Sequence, residues 1–429
     1  MTPSMDCNEK TPNELRDEFW AADQRNGSII RSQYDEIKRV LAERDFAWVE
    51  EQYSRLKQHA IDYTVYYKDY TVNDAFPVMN KMLLIENQEQ CSAKGNYQIP
   101  LHISSTSGST GTPFSVIQDY KKRNRNIADL KVFGELCDYP SHERMIFFRV
   151  ISEKLIRTPE QEARENIFYI DSSNFDDAHL EQMTHAVLEK KPRILLSYSS
   201  TLVELAKYIE KRKEGKTFSM SSVLVGGEGI SDENRELLER VFGCTVYRRY
   251  SNQEMGILGQ DTGNGSSYRL NWGSYYFEVL KIDSDEPAKT GEVGRIVVTD
   301  LFNYAFPMIR YDTGDLGVAE SVEGGFMRLR EIYGRSRDCV YTVDGSLLSP
   351  AKISVMMWGV SGVKQWQFIQ ETESDYILKL NCSGDVDTAS LVSRYSDLLG
   401  GGNVAVEFVD EIPVTSSNKR RAVICNLKK

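Results

Sequence analysis

The sequence of 429 residues has few cysteines and histidines, and neither type has the spacing of a metal site or a disulfide framework. The seven cysteines are scattered along the chain and no C-x-x-C motif occurs. Disulfide-rich and zinc-binding modules place their cysteines at short, regular spacings, so the sequence argues against both classes and favours a reducing compartment. The histidines without ligand spacing, which we interpret as structural, are His102, His142, His179 and His185.

Long apolar runs and an excess of basic charge are also missing. The sequence has no run of about eighteen apolar residues, the length that a membrane-spanning helix needs. Its first twenty residues are polar and acidic, unlike a secretory signal. The net charge of −11 argues against a general nucleic-acid-binding protein, whose surface would be basic. We therefore expect a cytoplasmic protein with no nucleic-acid partner and no membrane insertion, and we leave a homodimer open.

Between residues 100 and 300, short apolar runs alternate with helical patterns. Runs such as MIFFRVI and SSVLVGGE are separated by stretches such as AHLEQMTHAVLEKK, which predicts βαβ units and a mostly parallel sheet. Apolar residues at helical spacing predict helices over 12–60, and strands separated by turns predict an antiparallel subdomain over 266–330. Beyond Gly334 we predict a smaller α+β unit that begins with a hairpin at Asp344–Gly345.

One uncharged stretch, SSTSGSTGTP at Ser104–Pro113, consists only of serine, threonine, glycine and a final proline. It follows a predicted strand and precedes a predicted helix, which is an unusual place for a linker between domains. Backbone N–H groups and hydroxyls of such a loop can wrap phosphate. The Gly-Lys-Ser/Thr ending of a Walker loop is missing. We interpret the stretch as a phosphate-binding loop of another kind.

Five further motifs follow this loop in the order found in the adenylate-forming superfamily of acyl- and aryl-CoA ligases. The loop itself, Ser107–Pro113, resembles the phosphate loop of that superfamily. Each motif is modest by itself, but their common order is a strong joint signal. The motifs are Gly226-Gly227-Glu228, Tyr250-Ser251-Asn252-Gln253-Glu254, Tyr311-Asp312-Thr313-Gly314-Asp315-Leu316, Gly334-Arg335-Ser336-Arg337-Asp338 and Asn418-Lys419-Arg420-Arg421.

Within the superfamily the chain is most similar to the phenylacetate-CoA ligase branch, and more narrowly to its CapK-type members from capsular-polysaccharide loci. The similarity extends over nearly the whole chain and includes LLSYSSTLVELAKYI and YSNQEMGILGQ. It implies an α/β fold with two domains. A large N-terminal α/β domain of several subdomains would cover 1–334, and a small, mobile α+β domain would cover 338–429.

The resemblance implies a site for ATP and Mg²⁺ in the larger domain. Tyr250 would stack on adenine, Asp315 would accept hydrogen bonds from the ribose, and Arg335 would reach the ribose or the α-phosphate. Glu254 would ligate Mg²⁺, a hard cation that prefers oxygen ligands. The other nucleotide-binding residues would be Ser107, Gly108, Ser109, Thr110 and Gly111 on the phosphates, and Gly227 and Glu228 along the adenine.

The catalytic residues implied by the resemblance are Lys419 and Glu254. Lys419 would stabilise the charge that develops between the carboxylate and the α-phosphate. Asp338 would be the hinge about which the smaller domain turns. The chain departs from the usual residues of the family at Thr112, Ser251, Gln253 and Asn418.

The implied reaction is ATP-dependent activation of a small-molecule carboxylic acid to an acyl-adenylate with release of pyrophosphate, followed by acyl transfer. CoA is the expected acceptor, while an amine such as that of an amino sugar, or a thiol on a carrier protein, stays open. Two rivals are a nucleotide-binding protein without catalysis and a scaffold for polysaccharide synthesis. The acyl pocket would contain aromatic side chains and one arginine, which leaves aryl acids and polar or dicarboxylic acids open. Its candidate residues are Phe148, Arg149, Tyr198, Ser199 and Gly226.

Overall fold

In the computed structural model, the described part of the chain contains one sheet of eleven strands, one of four and two of two. Its helices do not include any that is long and apolar enough to cross a membrane. The predicted phosphate loop, Asp338 and Lys419 lie outside the described residues, and Arg335 is described in its backbone alone. The described residues are 10–105, 114–149, 151, 157–172, 175–212, 218–230, 232–263, 265, 267–321, 325–335, 340–345, 347–348, 353, 356–357, 360, 362–412 and 421–427.

The helices and strands are numbered here in chain order. The helices are α1 (Pro12–Arg25), α2 (Ile29–Glu43), α3 (Phe46–Tyr63), α4 (Lys81–Glu86), α5 (Gln88–Cys91), α6 (Tyr120–Glu135), α7 (Pro159–Glu165), α8 (Asp177–Lys190), α9 (Ser199–Arg212), α10 (Asp232–Phe242) and α11 (Thr388–Leu398). The strands are β1 (His102–Ser105), β2 (Ser115–Gln118), β3 (Met145–Arg149), β4 (Ile167–Asp171), β5 (Ile194–Ser197), β6 (Ser222–Gly226), β7 (Thr245–Asn252), β8 (Gly256–Gln260), β9 (Tyr268–Leu270), β10 (Tyr275–Leu280), β11 (Val293–Asp300), β12 (Tyr311–Ser321), β13 (Met327–Arg335), β14 (Val340–Tyr341), β15 (Leu347–Leu348), β16 (Val363–Gln370), β17 (Asp375–Cys382), β18 (Asn403–Phe408) and β19 (Val423–Cys425).

The helices expected over 12–60 are present as α1, α2 and α3. Helix α1 begins with a capping box, in which Thr11 and Glu14 each satisfy a backbone N–H of the other. The helical spacing of apolar residues continues from α2 into α3, but in the structure one helix ends and a second begins. Arg44 takes a left-handed conformation with φ of 52°, and the Asp45 side chain caps the new helix by accepting a hydrogen bond from the Trp48 N–H.

The predicted parallel sheet is confirmed by five adjacent strands in the order β4-β3-β5-β6-β7. All four pairings within this set are parallel. Side chains from α8, α9 and α10 pack against one face of these strands in a shared hydrophobic core. The order reverses at β3, because the chain goes from β3 outward to β4 and then returns to β5 on the other side of β3. Such a reversal is the usual place for a ligand crevice in an open α/β sheet.

The strands expected over 266–330 are present and antiparallel, but they do not form a sheet of their own. The hairpin of β7 and β8 turns the chain round, and β9 pairs with both β8 and β13. The parallel and antiparallel halves are therefore one continuous sheet of eleven strands. A second hydrophobic core, built around residues such as Trp272 and Phe306, lies under the antiparallel half.

The predicted smaller α+β unit has a hairpin of β14 and β15, followed by a sheet in the order β18-β17-β16-β19. Helix α11 packs on this sheet through Leu391 and Tyr395. Strand β19 was not predicted from the sequence; its three residues follow the basic motif Asn418-Lys419-Arg420-Arg421. It pairs in parallel with β16, where Phe368 faces Val423.

Candidate functional site

The carboxyl ends of the parallel strands bring several of the predicted site residues to one edge of the sheet. Gly226 at the end of β6 lies opposite Arg249 on β7 in the register, one residue before Tyr250. Arg149 is the last residue of β3, and Tyr198 directly follows β5. Residues at the carboxyl edge of a parallel sheet line its ligand crevice, so the position of these residues suits a binding site.

The centre of the candidate site is a contact between Tyr250 and Asp315. The Tyr250 hydroxyl donates a hydrogen bond of 2.8 Å to Asp315 Oδ2 and lies 3.3 Å from Thr313 Oγ1. Only 8% of Tyr250 is exposed. Burial, with the Asp315 charge as a further cause, raises the pKa of Tyr250 well above its usual value. The phenol therefore keeps its proton at neutral pH and orients the carboxylate.

The backbone conformation around Asp315 depends on Gly314 and on hydrogen bonds of the Thr313 side chain. Gly314 has a φ of 76°, which favours glycine. Thr313 Oγ1 donates to the Ile296 carbonyl at 2.9 Å and accepts from the Asp315 N–H at 3.2 Å. In the register of β12 and β13, Arg335 lies opposite Asp315. The backbone therefore brings Asp315, the predicted ribose contact, opposite Arg335, the predicted contact to the ribose or the α-phosphate.

Glu254 lies in the tight turn between β7 and β8. Asn252 Oδ1 accepts the Met255 N–H at 2.8 Å, and the Met255 carbonyl accepts the Tyr275 hydroxyl at 2.6 Å. These bonds fix the turn. Across the described residues, the half-buried Glu254 carboxylate has no hydrogen-bond or ion-pair partner. A fixed carboxylate without a partner is a donor that suits a hard divalent cation.

The hairpin of β1 and β2 connects the predicted phosphate loop to this turn. Ser104 Oγ donates to the Gln253 carbonyl at 2.7 Å, and Gln118 Nε2 donates to the Glu254 carbonyl at 3.1 Å. Ser105 and Ser115 face each other in the register, so both ends of the loop meet beside the Glu254 turn. Sequence reasoning included Ser104 in the loop stretch but did not find its contact with Gln253, nor β2 or Gln118 as parts of the site, because these contacts join residues more than a hundred positions apart.

Glu228 lies at the amino terminus of α9. Its Oε2 accepts hydrogen bonds from Ser199 Oγ at 3.1 Å and from the Ser200 N–H at 3.0 Å. Ser199 Oγ also lies 2.7 Å from the Gly229 carbonyl, so its single proton can be donated to either acceptor. Gly227, between β6 and Glu228, has a φ of 72°. Glu228 and Ser199 are thus brought together, with the Glu228 carboxylate held by a helix terminus that favours negative charge.

The structure corrects one residue of the predicted acyl pocket. Phe148 is fully buried and packs in the core under α8 and α9, because successive residues of a strand point to opposite faces. Its neighbours Phe147 and Arg149 are half-buried and share the other face. Tyr198 is half-buried as well, and burial followed by the Glu228 charge raises its pKa, whereas Arg149 acts to lower it.

Gly226 leaves room in front of this face of the sheet. A methyl group added at its Cα would meet no atom within 4 Å. The space in front of Gly226, between Tyr198 on one side and β7 on the other, is therefore open at this position.

Comparisons with known proteins match both parts of the chain. The family model of the CapK C-terminal domain matches residues 340–426. Protein CapK of Staphylococcus aureus is 22% identical over 344 residues, which are 75% of this chain and 74% of that protein. A phenylacetate-coenzyme A ligase of Thermus thermophilus is 26% identical over 232 residues, and the match spans 48% of that ligase, about half its length.

Solved structures show the fold. The crystal structure of a 2-hydroxyisobutyryl-CoA ligase in the postadenylation state, bound to an acyl-AMP, superposes with a TM-score of 0.71 at 20% identity and covers 90% of both chains. The same ligase in its thioesterification state, with an acyl-AMP and CoA, superposes with a TM-score of 0.57 at 19% identity over 90% of both chains. The predicted α/β architecture of the adenylate-forming ligases is thereby confirmed.

Proposed function

We propose that this chain, a homologue of CapK and of the phenylacetate-CoA ligases with the fold of the adenylate-forming ligases, activates a carboxylic acid with ATP. A carboxylate oxygen of the acid attacks the α-phosphate, the bond from that phosphorus to pyrophosphate breaks, and an acyl-adenylate forms. The observation that carries this proposal is the 2.8 Å contact between Tyr250 and Asp315. It joins two motifs that were identified separately in the sequence.

In this proposal the nucleotide binds at the carboxyl edge of β6 and β7. The Asp315 carboxylate, oriented by the Tyr250 hydroxyl, accepts hydrogen bonds from the ribose hydroxyls, and charge makes such bonds strong. The hairpin of β1 and β2 brings Ser105 and Ser115 together near the Glu254 turn. We propose that backbone N–H groups and hydroxyls of Ser107–Gly111, between these two residues in the sequence, contact the phosphates.

Mg²⁺ fits the donor set at Glu254, since that carboxylate has no other partner in the part of the chain that the structure describes. Bound there together with phosphate oxygens, the cation would neutralise charge on the leaving pyrophosphate. Glu254 would contribute one carboxylate oxygen to this metal site, from a turn that the Asn252 side chain and the Tyr275 hydroxyl hold in place.

We predict that Glu254→Gln raises the Mg²⁺ concentration that half-maximal pyrophosphate release requires, by about tenfold, the effect of losing one charge-assisted contact. AMP binding, which needs no metal, is expected to stay unchanged in equilibrium dialysis. Glu236→Gln, an exposed glutamate of α10, is the matched control. Equal loss of ATP and AMP binding in Glu254→Gln would contradict the metal role.

Removal of the Asp315 carboxylate has a different expected pattern. Asp315→Ala is expected to weaken ATP and AMP binding alike, by about ten- to a hundredfold, because both nucleotides share the ribose. Tyr250→Phe removes only the hydroxyl that orients Asp315, so its loss is expected to be smaller and again equal for both nucleotides. Unequal losses, measured by calorimetric titration of each nucleotide, would show that Asp315 acts on the phosphates rather than on the ribose.

The acceptor in the second half-reaction is proposed to be CoA. Its thiol attacks the acyl carbonyl, the thioester bond forms and AMP leaves. Phenylacetate-CoA ligases among the relatives and the CoA-bound 2-hydroxyisobutyryl-CoA ligase support this choice. The relation to CapK keeps an amine, such as that of an amino sugar, as a second candidate acceptor. Pyrophosphate release from a panel of acids, followed by product analysis with CoA or glucosamine present, separates the two.

We further propose that residues 338–429 turn about Asp338 between the half-reactions, relative to a domain formed by residues 1–334. The solved ligase takes up a postadenylation and a thioesterification state. In this chain, residues on both sides of the sequence stretch 413–420, which includes Lys419, are hydrogen-bonded to β16. Before it, the Ile412 N–H donates to Gln365 Oε1 at 2.8 Å. After it, the Phe368 N–H donates to the Ala422 carbonyl at 2.8 Å.

A further inference from the structure

Arg149 has an unusual environment at the end of β3. Its guanidinium lies 5.0 Å from the centroid of the Phe147 ring and 5.7 Å from that of Tyr169. The Nε atom is buried and has no hydrogen-bond partner. A buried guanidinium N–H that makes no hydrogen bond has lost water without compensation. The side chain is therefore held by two rings, while its own donors are not all used.

The carboxylates around Arg149 are engaged elsewhere. Asp171 faces it across β3 and β4, but accepts the Ile151 N–H at 3.0 Å. Glu228 is bound to the first residues of α9. Within the described ranges, no acidic side chain forms an ion pair with Arg149.

Arg157 provides a contrast on the same aromatic ring. Its guanidinium also lies near Tyr169, at 5.1 Å from the ring centroid, but it pairs with Glu165 at 2.8 Å. Of the two arginines beside the Tyr169 ring, only Arg149 therefore lacks an acidic partner among the described residues. It is also the arginine of the pair that lies at the carboxyl edge of the sheet, where the strand order reverses.

The position of Arg149 connects it to the candidate acyl pocket. Tyr198 follows the neighbouring strand β5, and the open space at Gly226 follows on β6. Leu196 on β5 lies opposite Phe147 in the register, so Arg149 and Tyr198 both stand at the ends of adjacent strands. An acid that reaches the α-phosphate from this crevice would extend past Tyr198 toward the guanidinium.

We infer that the acid this chain activates carries a second acidic group, and that Arg149 binds that group and determines this specificity. The inference rests on the proposed adenylating function. The planar guanidinium, fixed by the Phe147 and Tyr169 rings, can donate two parallel hydrogen bonds to a carboxylate. A dicarboxylic acid would thus be held at one end by Arg149 and activated at the other.

The test measures binding without catalysis. Matched acids with and without a second carboxylate (succinate and butyrate, glutarate and valerate, isophthalate and benzoate) are titrated calorimetrically into the full chain. Each titration contains Mg²⁺ and an ATP analogue with a methylene group between the α- and β-phosphates. We expect at least one diacid to bind about ten- to a hundredfold more tightly than its monoacid partner, the range for hydrogen bonds to a charged group.

Three variants identify the residue responsible. Arg149→Gln should abolish the preference for the diacid, Arg149→Lys should keep part of it because charge remains without the planar fork, and Arg157→Gln should keep all of it. Circular dichroism and the melting temperature of the unliganded protein show whether Arg149→Gln folds. If Arg149→Gln does not fold, the titrations of Arg149→Lys decide. A diacid preference as strong in Arg149→Lys as in the wild-type chain would then contradict the inference.

The inference is overturned if no diacid of the panel binds more tightly than its monoacid partner, or if the preference survives in Arg149→Gln. Failure of the proposed function has another signature. In that case the wild-type chain would bind an acid in the titration but would release no pyrophosphate from ATP with that acid.

Discussion

Alanine in place of Lys419 is expected to slow adenylate formation by about a hundred- to a thousandfold, the loss typical when one donor to transition-state charge is removed. ATP binding is expected to remain within about twofold of wild type, since the proposed nucleotide contacts of Tyr250 and Asp315 are untouched and a twofold change is well under one kcal/mol. Single-turnover pyrophosphate release measures the first quantity, and equilibrium dialysis with ATP measures the second.

The control for Lys419 is a second lysine, Lys429. Lys429→Ala removes an equal charge ten residues further along and is expected to leave the rate unchanged. If Lys419→Ala formed adenylate as fast as Lys429→Ala, the assignment of Asn418-Lys419-Arg420-Arg421 as the catalytic motif would be wrong.

The second large effect concerns stability and an ion pair beneath the site. Lys122 and Asp300 are fully buried and their Nζ and Oδ2 atoms lie 2.8 Å apart. Lys122 Nζ also donates to the Tyr275 hydroxyl at 3.0 Å, the group that holds the Glu254 turn. Lys122→Met is expected to lower the free energy of unfolding by about 3–5 kcal/mol, because it leaves the Asp300 charge buried and unpaired.

Lys121 is the matched control for this prediction. Its ammonium lies over the Phe302 and Tyr304 rings, 5.3 and 4.7 Å from their centroids, contacts that typically contribute about 0.5–1 kcal/mol. Urea unfolding followed by tryptophan fluorescence should show a much smaller shift for Lys121→Met. The double variant Lys122→Met/Asp300→Leu should regain stability, since replacing both partners by apolar residues is often neutral. A double variant less stable than Lys122→Met would mean that Asp300 contributes through contacts other than this pair.

The parallel half of the sheet was predictable because its signals are local. The apolar runs of β5 and β6 form largely buried strands, and the helical stretches that form α8, α9 and α10 pack on one face of the parallel strands. The motifs were identified by their resemblance to those of the adenylate-forming superfamily, which also implied the roles of Tyr250 and Asp315. Their 2.8 Å contact was not predictable, because it joins β7 to β12, which are separated by four strands along the chain.

Other features depend on partners that are distant along the chain. Strand β19 has three residues and is a strand only because β16 lies beside it. Phe147 and Phe148 have the same side chain, so the residue type does not show that Phe148 lies on the buried face of β3 and Phe147 on the other face. Strands β10 to β13 are joined to the rest of the sheet through β9, a strand of three residues that pairs with β8 on one side and with β13 on the other. Short strands of this kind carry little signal of their own.

Exchange of radiolabelled pyrophosphate into ATP tests the central claim most directly, because it requires reversible formation of an acyl-adenylate and no acceptor. The wild-type chain is incubated with MgATP, labelled pyrophosphate and single acids from the mono- and dicarboxylic panel, without CoA. We predict exchange that depends on the acid and is lost in Lys419→Ala but kept in Lys429→Ala. Binding of ATP without exchange for any acid, or exchange that is equal with and without acid, would contradict the proposal that this chain forms acyl-adenylates.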